Sequence, residues 1–434
     1  MDIAKINQSL AIGDLPSTEL FPHAQRLLSG KYVFDNEFQL AELPIEPGIL
    51  LIRGARQYGK STWLELQIIK TIESFGAGSA FYLNGDFIAN AESLASELET
   101  LAISFEKNIK VKRIFIDEIT AINDWETILK RLVDNGILRD ILVITTGSKA
   151  TDLRRGAERL PGRKGRLNQT NYLFTPISYK SFHAQCHKKL KSKTLTSYLI
   201  SGGSPIACSE LATHGYIPEY VIQLVRDWVE GEIAKSGRLR SALINIMNVL
   251  NRFGGSPVGQ AKLAREAGLA NNTIAQGYIE ILNDLGCVIP SYPMDHQKQQ
   301  LILRKPCKYH FANLLVAVAY HPAQIRRAED FDELSKAEQG MWYEWLTAQE
   351  LLRRNSLRGD HLLEPQAFWQ SKQHEIDFYD SIAGFIEVKR GKCTALEFAW
   401  FAKQFNQKLT VINQNSFESN FITGKTLEDF LHKV

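Results

Sequence analysis

Cysteine is scarce in this chain and poorly spaced for either a cross-link or a metal. Five cysteines, Cys186, Cys208, Cys287, Cys307 and Cys393, are scattered, odd in number and never in C-x-x-C spacing. A disulfide framework and a zinc site are thereby excluded, and reduced, mostly buried thiols of a cytoplasmic protein are expected. No apolar run approaches the roughly 20 residues that a membrane span needs. The start, Met1-Asp2-Ile3-Ala4-Lys5, has neither a basic n-region nor a hydrophobic core segment. A soluble protein with no membrane partner is expected. An excess of either charge is also missing: 51 Lys and Arg face 48 Asp and Glu, a formal net charge of +3. Bulk charge therefore argues neither for nor against nucleic acid, and any such contact must come from local patches.

What is present reads as globular, with 44% hydrophobic and 23% charged residues. At 434 residues the chain is too long for one compact core and suggests about three modules. Its most informative stretch is Gly54-Ala55-Arg56-Gln57-Tyr58-Gly59-Lys60-Ser61, followed by Thr62, which fits G-x-x-x-x-G-K-[ST]. An apolar strand, Ile49 to Ile52, precedes it, and a helical pattern from Trp63 follows. In that setting two glycines let backbone N–H groups curl around phosphate, Lys60 reaches the β- and γ-phosphates, and the Ser61 hydroxyl ligates Mg²⁺. The pattern predicts ATP with Mg²⁺. A plain glycine turn is the competing reading, and the correct flanks weigh against it.

A second apolar strand, Arg113-Ile114-Phe115-Ile116, ends in Asp117-Glu118. Open α/β sheets place ligands at the carboxyl ends of their strands. Asp117 is expected to hold Mg²⁺ and Glu118 to orient and deprotonate the attacking water. The next strand, Ile141 to Thr146, runs into Gly147-Ser148, making Thr146 or Ser148 the candidate γ-phosphate sensor. Strands at 49–52, 80–83, 113–117 and 141–146, with helical patterns between them, predict a parallel α/β sheet. A basic loop from Thr151 to Arg166 follows. It reads either as an arginine finger for a neighbouring subunit, Arg163 being first choice, or as a loop meeting phosphate backbone or solvent. The finger reading implies a homo-oligomer, with a hexameric ring as one form.

Helical spacing of Leu243, Ile246, Met247 and Leu250, a second helix to Gly268, and a third from Asn271 to Gly286 precede strand-like pieces at 288–289 and 301–303. This order predicts a winged helix, whose third helix offers Asn271, Asn272, Thr273 and Gln276 to a DNA groove or only to a neighbouring domain. Further on, His374 to Tyr379 and Phe385 to Lys389 alternate as two strands of a hairpin. Alternation puts Asp377 on one face with Glu375 and Tyr379, and Glu387 with Lys389. D-x(n)-E-x-K is the metal-and-lysine arrangement of restriction-endonuclease-like folds. On the preceding helix Glu344 borders the apolar face while Glu350 points away, so Glu344 is the candidate fourth acid. A cross-strand ion-pair cluster is the competing reading.

Taken in order, the chain resembles prokaryotic ATPases of the AAA+ superfamily that carry a C-terminal domain of unknown function. The resemblance rests on Gly54 to Ser61, Ile116-Asp117-Glu118-Ile119, Thr146-Gly147-Ser148, Leu160-Pro161-Gly162-Arg163, Pro176 to Phe182, Gly202-Gly203-Ser204-Pro205, Glu375-Ile376-Asp377-Phe378 and Ile386-Glu387-Val388-Lys389. Ala55 stands where proline is usual, and Thr120 where glutamine commonly follows Asp-Glu-Ile, which puts a substrate-coupling contact in doubt. The resemblance implies a helical lead-in over 1–45 and a P-loop ATPase domain with a helical extension over 46–215. A winged helix over 216–310 and a restriction-endonuclease-like domain over 311–434 would follow. The resemblance implies ATP binding, and an ATPase core joined to two nucleic-acid-type modules makes Mg²⁺-dependent ATP hydrolysis coupled to the handling of branched, broken or mobile-element DNA the expected activity. An ATP-gated partner-binding switch and an ATP-regulated nuclease are the alternatives.

Overall fold

Apolar strands buried on both faces can be satisfied only by neighbours above, below and alongside, and that requirement organises the first part of the chain. A computed structural model describes residues 2–14, 20–148, 167–359 and 364–432. It divides into two compact units, one running up to Thr175 and taking in the stretch that begins at Ser356, the other holding Pro176–Asn355 and the C-terminal remainder.

In the first unit, helices α1 (Ile3–Ile12) and α2 (Pro22–Ser29) lead into strand β1 (Gly48–Arg53), helix α3 (Lys60–Phe75) and strand β2 (Ala80–Asn84). Helix α4 (Ala91–Ser104), β3 (Arg113–Asp117), α5 (Trp125–Asp134), β4 (Leu142–Gly147) and β5 (Asn171–Leu173) complete it. The sheet is parallel throughout, in the order β2-β3-β4-β1-β5. Strand β1, which runs into Gly54–Ser61, and the acid-bearing strand β3 thus flank β4. All four strands expected from the sequence are present. The fifth, β5, is unforeseen, because three residues carry too little pattern to read.

Leu94, Leu98, Ile128, Leu129 and Leu132 pack α4 and α5 onto Ile114, Ile116 and Val143. Asparagines cap the segments that follow β2: Asn84 accepts from Asp86 N–H and Asn90 from Ser93 N–H. The open edge at β2 is dressed by α1, where the Asn7 amide donates to Tyr82 O (2.9 Å) and accepts from Tyr82 N (2.8 Å). One side chain thereby imitates a neighbouring strand and blunts an aggregation-prone edge.

The second unit opens with helices α6 (Tyr179–Leu190), α7 (Thr194–Ser201), α8 (Pro205–His214) and α9 (Glu219–Lys235). Helices α10 (Arg240–Phe253), α11 (Gln260–Glu266) and α12 (Asn272–Asp284) follow, at the three helical patterns read from the sequence. After β6 (Val288–Asp295), β7 (Gln300–Leu301) and β8 (Lys308–Phe311) come α13 (Leu314–Tyr320), α14 (Ala328–Asp332) and the long α15 (Lys336–Leu357). The remainder is β9 (Gln366–Gln370), β10 (Glu375–Asp380), β11 (Gly384–Val388), α16 (Ala399–Gln404), β12 (Leu409–Asn413), β13 (Phe417–Glu418), β14 (Ile422–Thr426) and α17 (Leu427–His432).

Nine strands share one mixed sheet, β13-β14-β12-β11-β10-β9-β6-β7, with β8 also on β6. Because β6 pairs with both β8 and β9, the sheet runs on through residue 310 without a break. The turn expected between β10 and β11 forms as read: Asp380 Oδ1 accepts from Ile382 and Ala383 N–H, and Gly384 takes φ +77°.

Candidate functional site

The first site grows out of the carboxyl ends of β1, β3 and β4. After β1 the backbone must turn sharply, which it does through positive φ at Gln57 (+68°) and Gly59 (+97°), so that α3 starts at Lys60. Gly54 has a packing reason of its own. A Cβ there would sit 2.4 Å from Phe174 O, where the chain leaving β5 crosses behind the loop. No side chain caps the start of α3, so its first-turn N–H groups and positive dipole end are left for an anion. Ser61 and Thr62 stand half-buried in that first turn, Ala55 and Tyr58 are buried beneath the loop, and Arg56 is half-exposed. The Lys60 ammonium is buried and folded back, donating to Gly54 O (2.7 Å) and Ala55 O (3.0 Å). Burial lowers its pKa, against the opposing pull of Glu118 and Asp117. Two neutral carbonyls are a weak partner for a buried cation, and a phosphate would be a stronger one.

Across β4 lies the acid pair. Asp117, at the end of β3, is buried and accepts from the Thr146 hydroxyl. The same hydroxyl accepts from Glu118 N–H at 3.0 Å, so Thr146 sets the position of both acids. Glu118 sits in left-handed backbone (φ +48°), a conformation that costs energy for a residue with a side chain. Three donors hold its carboxylate: Ser148 Oγ (2.6 Å), Ser148 N–H (3.1 Å) and Thr120 Oγ1 (3.1 Å). Burial pushes this carboxyl upward, but the Lys60 charge and the Ser148 hydrogen bonds outweigh it and leave the pKa below its usual value. Both sensor candidates therefore touch the acids, Thr146 on Asp117 and Ser148 on Glu118. Thr120 is part of the same network rather than a bare departure from pattern. Arg163 and the basic loop lie outside the described residues.

Sequence reading missed Glu65, which lies one turn into α3 from Lys60. Its carboxylate, 2% exposed, accepts from Ala24 N–H at 2.7 Å and so fastens the start of α2 onto α3. Burial raises its pKa to about 7.

In the second unit the structure gathers Glu344 from α15, Asp377 from β10, and Glu387 with Lys389 from β11 and its end. Glu387 Oε2 accepts from Asp377 N–H (3.2 Å), Asp377 Oδ2 accepts from Val388 N–H (2.9 Å), and Lys389 Nζ meets Glu387 Oε1 at 2.5 Å. An unforeseen residue lies among them. Lys308, the first residue of β8, is wholly buried, with Nζ 2.8 Å from Asp377 Oδ1, 2.6 Å from Glu375 Oε1 and 3.4 Å from Glu344 Oε2. Burial raises the Glu344 and Glu387 carboxyls, with the Asp377 charge adding to it, and Glu387 reaches about 8. Lys308 overcomes the burial of Asp377 and holds that carboxyl low.

Two expectations change here. Tyr379 does not share a face with Asp377: the β10 register shifts between Ile376 and Tyr379, and Tyr379 packs with Ile376 against the Phe385 and Phe401 cluster. Glu350 is not turned to solvent either. It is buried and paired with Arg353 and Arg354 (2.8 and 2.7 Å), because α15 is enclosed on that side too. Lys308 left a weak signal, a lone lysine in Lys308-Tyr309-His310-Phe311, but nothing in that stretch names its distant partners.

Comparison with known proteins finds a family match in the first region. Residues 46–183 match the family model described as "AAA domain". The matched span covers the phosphate loop, Asp117, Glu118, Thr146 and Ser148. No curated protein matches the sequence. Similar solved structures include the Walker-type ATPase PABY2304 of Pyrococcus abyssi, at 12% identity and TM-score 0.44, covering 71% of this chain and 96% of that one. The Aeropyrum pernix ORC1 protein in complex with DNA is similar at 14% identity and TM-score 0.34, covering 72% and 95%. Thermotoga maritima RuvB is similar at 15% identity and TM-score 0.32, covering 56% and 82%. Among the described residues, no helix is long and apolar enough to cross a membrane.

Proposed function

We propose that the chain is a Mg²⁺-dependent ATPase that couples ATP binding and hydrolysis to the handling of DNA. One observation carries the ATPase reading: Thr146 ties Asp117 to Glu118 across β4 from the uncapped, lysine-bearing start of α3. The residues suit the nucleotide. Backbone N–H groups of the loop bind phosphate, Lys60 leaves the Gly54 and Ala55 carbonyls for the β- and γ-phosphates, and Ser61 and Asp117 are the oxygens for Mg²⁺. Mg²⁺ held by Ser61 and Asp117 would supply charge neutralisation for the phosphates. Glu118, kept ionised beside Lys60 and Ser148, orients the attacking water and takes its proton. Thr146 keeps the two acids at a fixed separation, and Arg163 is the candidate finger from a neighbouring subunit.

The DNA reading rests on the second unit. Helices α10–α12 followed by the β6–β7 hairpin support a winged helix over 216–310, and α15 with β9–β12 supports a restriction-endonuclease-like fold over 311–434. The test is ATP turnover with and without single-stranded, duplex and branched DNA, while the same DNA is assayed for cuts. Stimulation without cutting is expected, and Lys60→Ala abolishes turnover. If no DNA changes turnover or binds, the DNA assignment fails and an ATP-gated partner-binding switch takes its place. The lysine buried among the acids of the second unit favours handling over cutting.

A further inference from the structure

The D…E-x-K arrangement with a helical glutamate implies a divalent metal, and the geometry around it does not fit one. We propose that the Lys308 ammonium is the resident cation of this acidic centre, standing where a restriction-endonuclease-like site would place its metal. The second unit then engages DNA without metal-dependent cleavage of the phosphodiester. The inference rests on reading α15 and β9–β12 as nuclease-like.

Three observations carry it. Nζ of Lys308 lies within 3.4 Å of carboxylate oxygens from three residues on two elements, Glu344, Glu375 and Asp377. That is a nest for one positive charge, and a lysine with no exposed surface has no other reason to be ionised there. The inner oxygens are also already engaged. Asp377 uses one on Lys308 and the other on Val388 N–H, while Glu387 uses one on Asp377 N–H and the other on Lys389. Mg²⁺ demands oxygens at about 2.0–2.1 Å in near-octahedral array, so it would have to expel the ammonium from a buried site first. Finally, among the described residues no group of three or more His, Cys, Asp or Glu side chains is arranged to hold a metal ion.

Two lysines, Lys308 and Lys389, already stand among the four acids. Lys308 also lies over the ring of Phe368 on β9 (5.5 Å), which walls its stem from water. Lys389 keeps nearly half its side chain exposed beside Glu387, whereas the Lys308 side chain is almost wholly buried among the acids.

The experiment titrates Mn²⁺ onto the full-length, nucleotide-free protein, read by the loss of the free-ion EPR signal. Ser61→Ala is present throughout to silence the ATP site. The chain with Lys308 intact is expected to bind Mn²⁺ no better than its Asp377→Asn counterpart. Lys308→Gln is expected to gain a site about tenfold tighter, which Asp377→Asn removes again. Loss of Mn²⁺ binding on Asp377→Asn with Lys308 intact overturns the proposal. A folded Lys308→Gln protein, checked by circular dichroism, that gains no site also overturns it. If that variant does not fold, the comparison of Lys308-intact chains decides alone. DNA-stimulated ATP turnover, measured on the protein without Ser61→Ala, keeps the two readings apart: absent stimulation with no Asp377-dependent Mn²⁺ site sinks the DNA assignment but not the Lys308 assignment.

Discussion

Glu65 gives the sharpest quantitative test of how the proposed ATP site is held to the rest of its unit. Its carboxyl is buried against the start of α2, where it accepts from Ala24 N–H, and its pKa is raised by burial from 4.5 to about 7. A group whose folded pKa is raised contributes stability that is fully present below the unfolded value and is lost as pH rises through the folded value. For Glu65 the loss therefore runs from about pH 4.5 to about 7. At ~1.4 kcal/mol per tenfold change, two-site linkage puts the loss between pH 5 and pH 8 at about 2–3 kcal/mol. Glu65→Gln keeps an acceptor for Ala24 N–H and removes the titration. Amide hydrogen exchange over Pro22–Ser29, taken as the variant-to-native ratio at each pH so that intrinsic rates cancel, reads the difference. Near pH 5 the ratio should be close to one. By pH 8 the native helix should open about 30-fold or more beyond that of the Glu65→Gln variant, the fold-change that ~2 kcal/mol gives. A ratio that does not change with pH would refute the argument that this carboxylate is buried at a cost.

Three other perturbations follow from the acid pair. Gly85→Ala would place a Cβ 2.4 Å from Glu118 O, and displacing that acid by even about 1 Å should lower kcat for ATP some 100-fold with KM nearly unchanged; equal kcat in steady-state assays would show that Glu118 is not the base. Thr146→Val strips a donor from Asp117 and an acceptor from Glu118 N–H, which should cost about 1–3 kcal/mol in chemical denaturation and most of the turnover, with Thr146→Ser restoring both. Ser148→Ala removes the 2.6 Å bond that helps keep the Glu118 carboxyl low, so the acid limb of the pH–rate profile should move to higher pH. An unmoved limb would dissociate Ser148 from the base.

The two sites were legible to different depths, for a physical reason. The phosphate loop is local: strand, glycine turn, lysine and helix start are consecutive, so their spacing fixes how they can fold. Asp117, Glu118 and Thr146 end apolar strands, and the parallel alternation already puts such ends on one side of a sheet. What the acids are bonded to is non-local. Thr120 reaches Glu118 from two residues along the chain, but Ser148 meets it only because β3 and β4 pair, and that pairing is written in no short stretch. The second site shows the same limit more strongly. Strand alternation put Glu387 with Lys389 and Asp377 with Glu375, but a register shift in β10 carries Tyr379 to the other face, and no alternation rule announces a bulge.

By itself, then, the sequence determined the parallel α/β core, the phosphate loop, the acid pair and the hairpin of Asp377, Glu387 and Lys389. All of these follow from period, punctuation and adjacency. Only the tertiary structure decided which groups neutralise those acids. Glu65 came to cap a helix that precedes it by some forty residues, and Lys308 came from a strand far from the hairpin to sit among three carboxylates. A buried charge selects its partner by distance in space, where an unpaired ion is too costly to keep, and chain spacing has no hold on that choice.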